Sequence, residues 1–195
     1  MAELTILAQS LANVENVQWI VVEQYRRSKR VTEFMSKVSI PHFHLTSGGK
    51  VRSGNLCNGM RNIALEFMRQ YQKNYQGGVV HFANTDRVYS ASVWEKMRKV
   101  EHVGIWPVIR SREQFKCDPE LVFEPYRVKA KYPVNTGSVG FSSTALLNTS
   151  YTFSQTVQDT AGISDLIDVM VDSADDIEVI SCDEHFVWYI PFQKS

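Results

Sequence analysis

The stretch VVHFANTDRVYS, Val79 to Ser90, is an apolar run that stops on Asn84-Thr85-Asp86 and then resumes with aromatic and small residues. Continuous apolar sequence of this kind reads as a strand covered on both faces, as in a parallel sheet under helices. Chemistry in an open α/β sheet gathers at the carboxyl ends of strands. The polar cluster is therefore either a ligand site or a turn in which Asp86 caps the backbone.

Reading outward, the residues before the run predict a long helix from Asn58 to Tyr75, with Met60, Ile63, Ala64, Phe67, Met68 and Tyr71 on one face, stopped by Gly77-Gly78. Those after it predict a helix over Ser92 to Val100 and a strand over Val103 to Ile109. Towards the amino terminus, Leu4, Leu7, Ala8 and Leu11 form a helical stripe within residues 3–13. QWIVVEQ, Gln18 to Gln24, is a short apolar strand; a helix near Thr32 to Val38, a strand over Ile40 to Leu45 and a loop over Thr46 to Gly54 follow. This alternation predicts an α/β fold with a mostly parallel sheet flanked by helices.

The texture changes after Arg110: Leu121 to Phe123, the turn Glu124-Pro125, the glycine-bearing NTGSVGFSSTALL, a helix near Ile163 to Val171 and a last strand, His185 to Ile190. With no repeat and no linker, residues 1–195 read as a single domain. Lys plus Arg and Asp plus Glu both number 21, so no net field recommends nucleic acid or an anionic membrane surface. Cys57, Cys117 and Cys182 form no CxxC pair and read as buried thiols. No apolar run approaches the roughly 18 residues of a membrane span, and the polar start does not read as a signal peptide, so the chain as written would stay in the cytosol. Asn148-Thr149-Ser150 is a sequon, a weak signal by itself.

The segment HFANTDRVYSASVWEKMRKVEHVGIWPV resembles the FADDDNTYS and VWPV region of the β-1,3-glucuronyltransferases, glycosyltransferase family 43. Four further segments are similar in the same order: VQWIVVEQ, GMRNIALEFMR, VFEPYRVKAKYPVNTGSVGF and CDEHFVWYIP. The resemblance implies a GT-A-like nucleotide-sugar-binding fold, with a donor-binding part over about residues 1–110 and an acceptor-side part over about 111–195. It further implies inverting transfer of glucuronic acid from UDP-glucuronate to a galactose-terminated glycan, Mn²⁺ as cofactor, a Golgi setting in proteoglycan synthesis, and room for a homodimer. By position, Asp86 falls on the family's metal-holding acid, Asn84 and Thr85 on residues that contact the nucleoside and ribose, and Arg61 on the arginine that pairs with UDP.

The departures are as informative. Gln24 replaces an acid, Asn135 stands where the family places an acceptor-binding Asp, and Tyr189 and Pro191 replace a donor-binding histidine and arginine. An inverting transferase needs a base for the acceptor hydroxyl. Aligned without gaps, Ile163 stands in the place of the family's Glu; a register longer by one helical turn offers Asp159 instead, which also reads as a helix cap. The resemblance begins partway into the family's first helix, so the strand before it is expected to be missing from the sheet. The alternative to an enzyme is a catalytically inactive remnant or a glycan-binding pseudoenzyme.

Overall fold

The computed structural model describes residues 1–51, 53–109, 131, 132, 134–180 and 187–189. Its elements run α1 (Ala2–Leu11), β1 (Trp19–Glu23), α2 (Lys29–Met35), β2 (His42–Thr46), α3 (Leu56–Gln70), β3 (Val79–His81), β4 (Arg87–Tyr89), α4 (Ala91–Met97) and β5 (Val103–Ile105). Then follow β6 (Val108–Ile109), β7 (Val139–Ser142), α5 (Ser143–Asn148), α6 (Asp159–Met170), β8 (Ile177–Val179) and β9 (Val187–Tyr189). The fold class is α/β, as the alternation predicts. Leu121 to Phe123 and the turn Glu124-Pro125 lie outside the described residues.

Local chemistry sets the helix starts. The side chains of Ser28, Asn55 and Ser90 accept from the backbone N–H three residues on, satisfying a donor that the first helical turn leaves without a partner. α3 begins on Leu56 because Asn55 caps it, two residues earlier than its apolar stripe predicts, and tightens into a 3-10 turn over Gln72–Tyr75.

The sheets are mixed. β1 pairs parallel with β2. A four-stranded sheet runs β3-β7-β5-β8, and β4-β9-β6 forms a third. β7 is antiparallel to both β3 and β5, and β9 is antiparallel to β4, so three of the six pairings among the described residues are antiparallel. The expectation of a mostly parallel sheet is corrected on this point. Two of the three antiparallel pairings come from β7: the glycine-bearing NTGSVGFSSTALL, to which the sequence reading assigns no strand, puts Val139–Ser142 between β3 and β5.

The expected strand Val103 to Ile109 is two strands in different sheets. Pro107 has no N–H to give a ladder, so pairing breaks at Trp106-Pro107 and β6 joins β9 instead.

β3 alternates across two hydrophobic clusters, as the period of a strand requires. Val80 and the following Phe82 face the cluster built from Leu65, Val103, Ile105, Phe141, Ile163, Leu166 and Ile167. Val79 faces the other, with Leu7, Leu11, Val93, Trp94, Met97 and Trp106. Gly104 and Gly140 are register partners on β5 and β7. A Cβ on Gly104 would lie 2.3 Å from Val100, and one on Gly140 3.3 Å from both Met97 and Trp106. Bare backbone there lets α4 and the Trp106 ring lie close on the sheet.

Candidate functional site

β3 ends at His81, and the chain reaches the polar cluster three residues later. The Asn84 N–H donates to the hydroxyl of Tyr89 at 2.9 Å, closing the Thr85-Asp86 turn against β4. The Thr85 hydroxyl donates to a carboxylate oxygen of Glu3, on α1, at 3.0 Å. Asp86 is half exposed and forms an ion pair with the guanidinium of Arg87, which also donates to the Asp86 carbonyl at 3.2 Å. The Arg87 side chain is only 5% exposed.

Asn135 arrives at the same place from the segment before β7. It is buried; its Oδ1 accepts the Gly137 N–H at 2.9 Å, and its carbonyl accepts from the Ser138 hydroxyl at 2.6 Å. A Cβ on Gly137 would lie 3.4 Å from both Asn135 Oδ1 and the Tyr89 hydroxyl, and 3.6 Å from Arg87. Asn84, Asp86 and Asn135 are thus drawn together around Tyr89 and Arg87, neither of which the sequence reading singled out. Trp106 is fully buried and donates its indole N–H to the Gly137 carbonyl at 3.0 Å.

Arg61 sits inside, 9% exposed, with its guanidinium over the rings of Phe82 and Phe153 at 5.8 and 5.5 Å and donating to Asn58 Oδ1 at 2.6 Å. Such stacking suits a planar, weakly hydrated cation. Asn58 in turn donates to the Ser154 carbonyl, while Asn62 both donates to the Phe153 carbonyl and accepts its N–H, so α3 and the segment before α6 hold one another. Gly162 of α6 abuts Asn58 and Phe153.

Asp159 is the first residue of α6 and Gln158 occupies the cap position, so Asp159 lies one residue inside the cap expected of it. Ile163 is fully buried in the core with Leu166 and Ile167; at that position the chain packs and does no acid–base work. Gln24 donates to the Val51 carbonyl at 3.2 Å. Cys57 is exposed rather than buried. Tyr189 stands opposite Arg87 in the β4–β9 ladder. Pro191, Cys117 and Cys182 lie outside the described residues.

His81 lies behind the cluster, its ring against Tyr89, Trp94 and Trp106 and its Nδ1 bonded to the Val139 carbonyl at 2.7 Å. Burial pushes its pKa down from 6.5 to about 4, the Val139 carbonyl acting against this and the Arg61 charge with it. The unfolded chain therefore binds a proton that the folded chain refuses. Stability from this residue is complete above about pH 6.5 and is lost as pH falls towards 4, by about 3 kcal/mol at the limit. Urea midpoints measured across that window should fall for the wild type and flatten for His81→Phe; the same slope in both would assign the titration elsewhere.

A hard divalent cation takes six or more oxygen ligands, several of them from carboxylates or phosphates. The protein offers one half-exposed carboxylate already matched to a buried guanidinium, and the neighbouring hydroxyl of Thr85 is committed to Glu3. Among the described residues, no group of three or more His, Cys, Asp or Glu is placed to hold a metal. The residues present do not fit a protein-held Mn²⁺.

The profile of glycosyltransferase family 43 matches residues 7–193, nearly the whole chain. The chain belongs to glycosyltransferase family 43. This family 43 chain is 33% identical over 120 residues to human galactosylgalactosylxylosylprotein 3-beta-glucuronosyltransferase 1, a match covering 55% of the chain and 36% of the relative. It is also 33% identical over 114 residues to the human 3-beta-glucuronosyltransferase 2, covering 55% and 35%. The match thus spans about a third of the length of each of these relatives. The α/β architecture, with sheets between helices, is consistent with the GT-A-like fold that the resemblance implies. No helix among the described residues is long and apolar enough to cross a membrane.

Proposed function

We propose that this chain is a nucleotide-sugar glycosyltransferase domain that takes UDP-glucuronate as donor and a galactose-terminated glycan as acceptor. Membership of family 43, with 33% identity to two 3-beta-glucuronosyltransferases, is the observation that carries this reading. The site is consistent with it: a polar cluster at the carboxyl end of β3, where α/β sheets take ligands. A Golgi setting goes with this reading.

In this proposal Asn84 offers its amide to the nucleoside, and Thr85, whose hydroxyl donates to Glu3, accepts from the ribose through the same oxygen. Arg61 supplies positive charge beneath the strand end, where a guanidinium suits diphosphate or a uracil carbonyl. Asn135, whose Oδ1 holds the Gly137 turn beside Arg87 and Tyr89, stands on the acceptor side in this proposal. Asp159, at the start of α6, takes the proton of the acceptor hydroxyl as that oxygen attacks the anomeric carbon. UDP leaves from the opposite face, giving inversion.

A second reading, donor or glycan binding without turnover, is favoured by one observation: Ile163, in the ungapped place of the family's base, is buried in the core. The test is calorimetric titration with UDP followed by product formation from UDP-glucuronate with a galactose-terminated acceptor. Binding with transfer supports the enzyme and binding without transfer the second reading. Absence of both sinks the donor assignment.

A further inference from the structure

The ion pair at the strand end gives the site an electrostatic character that follows neither from the fold nor from the cluster's sequence. A lone carboxylate beside a diphosphate site repels the ligand, and a divalent cation is the usual remedy because it bridges the two anions. Here the remedy is already present in the chain. Arg87 begins β4, immediately after the turn that carries Asp86; its guanidinium is engaged with the Asp86 carboxylate and carbonyl, and its side chain is 5% exposed against 50% for Asp86. Its stem lies against the Gly137 turn that Asn135 and Trp106 hold in place. A buried, permanently charged guanidinium beside a half-exposed carboxylate makes a locally neutral surface facing the ligand.

We propose that Arg87 is the resident cation of this site. It cancels the charge of Asp86, excludes a divalent cation from that carboxylate, and lets a nucleoside diphosphate bind without metal. The nucleotide part of the inference rests on the donor reading given above; the exclusion of metal does not. Arg87 is accordingly a residue that sets metal dependence, not a catalytic residue. A divalent cation on that carboxylate would lie beside the guanidinium, and positive charges about 4 Å apart repel by several kcal/mol at the effective dielectric of a protein surface.

Two measurements on the full chain separate the parts. Free Mn²⁺, followed by its electron paramagnetic resonance signal, is titrated with wild type, Asp86→Asn, Arg87→Asn and the double variant. The wild type is expected to show only weak binding, on the order of millimolar or weaker, unchanged in Asp86→Asn. Arg87→Asn is expected to gain binding at least on the order of tenfold tighter, lost again in the double variant. Saturable Mn²⁺ binding by the wild type that Asp86→Asn abolishes overturns the proposal, and needs no Arg87 variant to fold.

Calorimetry with UDP then compares Mn²⁺ with a chelator: affinities within about twofold of each other support the proposal, and a gain of about tenfold or more with Mn²⁺ overturns it. UDP that fails to bind under both conditions removes the donor reading and leaves the Mn²⁺ titration to decide the role of Arg87.

Discussion

Replacing Asp159 with Ala is expected to lower glucuronyl transfer by on the order of 10² to 10⁴-fold, the contribution of a positioned general base. The reasoning is by position. Of the two places where the sequence allows a base, Ile163 is fully buried among Leu166, Ile167 and Phe153, and no proton acceptor stands there. Asp159 opens α6, one turn before Gly162, and Gly162 abuts the Asn58 and Phe153 that hold Arg61. The amino end of α6 is therefore on the side of the molecule where Arg61 and the β3 end meet.

Loss of a base lowers kcat and leaves donor binding in place, so UDP affinity should stay within about twofold while turnover falls. Asp159→Asn separates the carboxylate from the space it fills and should be as slow as the alanine variant. Transfer that is robust in the wild type and unaffected in both variants would move the base elsewhere. A parallel fall in UDP affinity would make Asp159 a binding or structural residue.

Trp106→Ala is expected to carry the largest stability cost among single substitutions, about 3 to 5 kcal/mol for a fully buried Trp. Trp106 is 0% exposed, lies against Gly140 and the His81 ring, and donates to the Gly137 carbonyl. Stranding that buried carbonyl adds roughly 1 to 3 kcal/mol. A domain stable by about 5 to 15 kcal/mol has little left after such a loss. Trp106→Phe keeps most of the ring and removes the indole donor, and should cost only the smaller part. Urea denaturation measures both. Equal costs for the two variants would show that the hydrogen bond to Gly137, and not the packing of the ring, is what Trp106 contributes.

The same substitution connects the core to the site. Gly137 touches Tyr89, Arg87 and Asn135, so a turn that loses its indole donor loosens the residues around Asp86. Trp106→Phe should therefore weaken UDP binding more than its stability cost alone suggests.

Much of this protein was legible in its residues one at a time. The helical stripes of α1 and α3, the apolar runs of β1 and β3 and the polar stop at Asn84-Thr85-Asp86 all follow from local periodicity and turn chemistry, whereas the caps Asn55 and Ser90 were found only in the structure. So does the family, because side chains at a ligand site recur as short strings that chance does not assemble in order. The direction of the strands was not legible. A strand covered on both faces has the same apolar texture whether its neighbour runs with it or against it, and β7, short and bearing a glycine, carries no alternation that marks it as the strand between β3 and β5.

Nor could the string NTDR announce its ion pair. Successive side chains along a strand point to opposite faces, so Asp86 and Arg87 would be expected to part. They meet because Asp86 is still in the turn while Arg87 has entered β4. Arg87 is buried there because a segment nearly fifty residues further along brings Gly137 against its stem, and no pattern local to the cluster encodes that approach. The sequence by itself determined which residues stand at the strand end. The approach of the Gly137 turn to β4 decided how two of them pair, because burial, which depends on the whole chain, sets how strongly a guanidinium holds the carboxylate beside it.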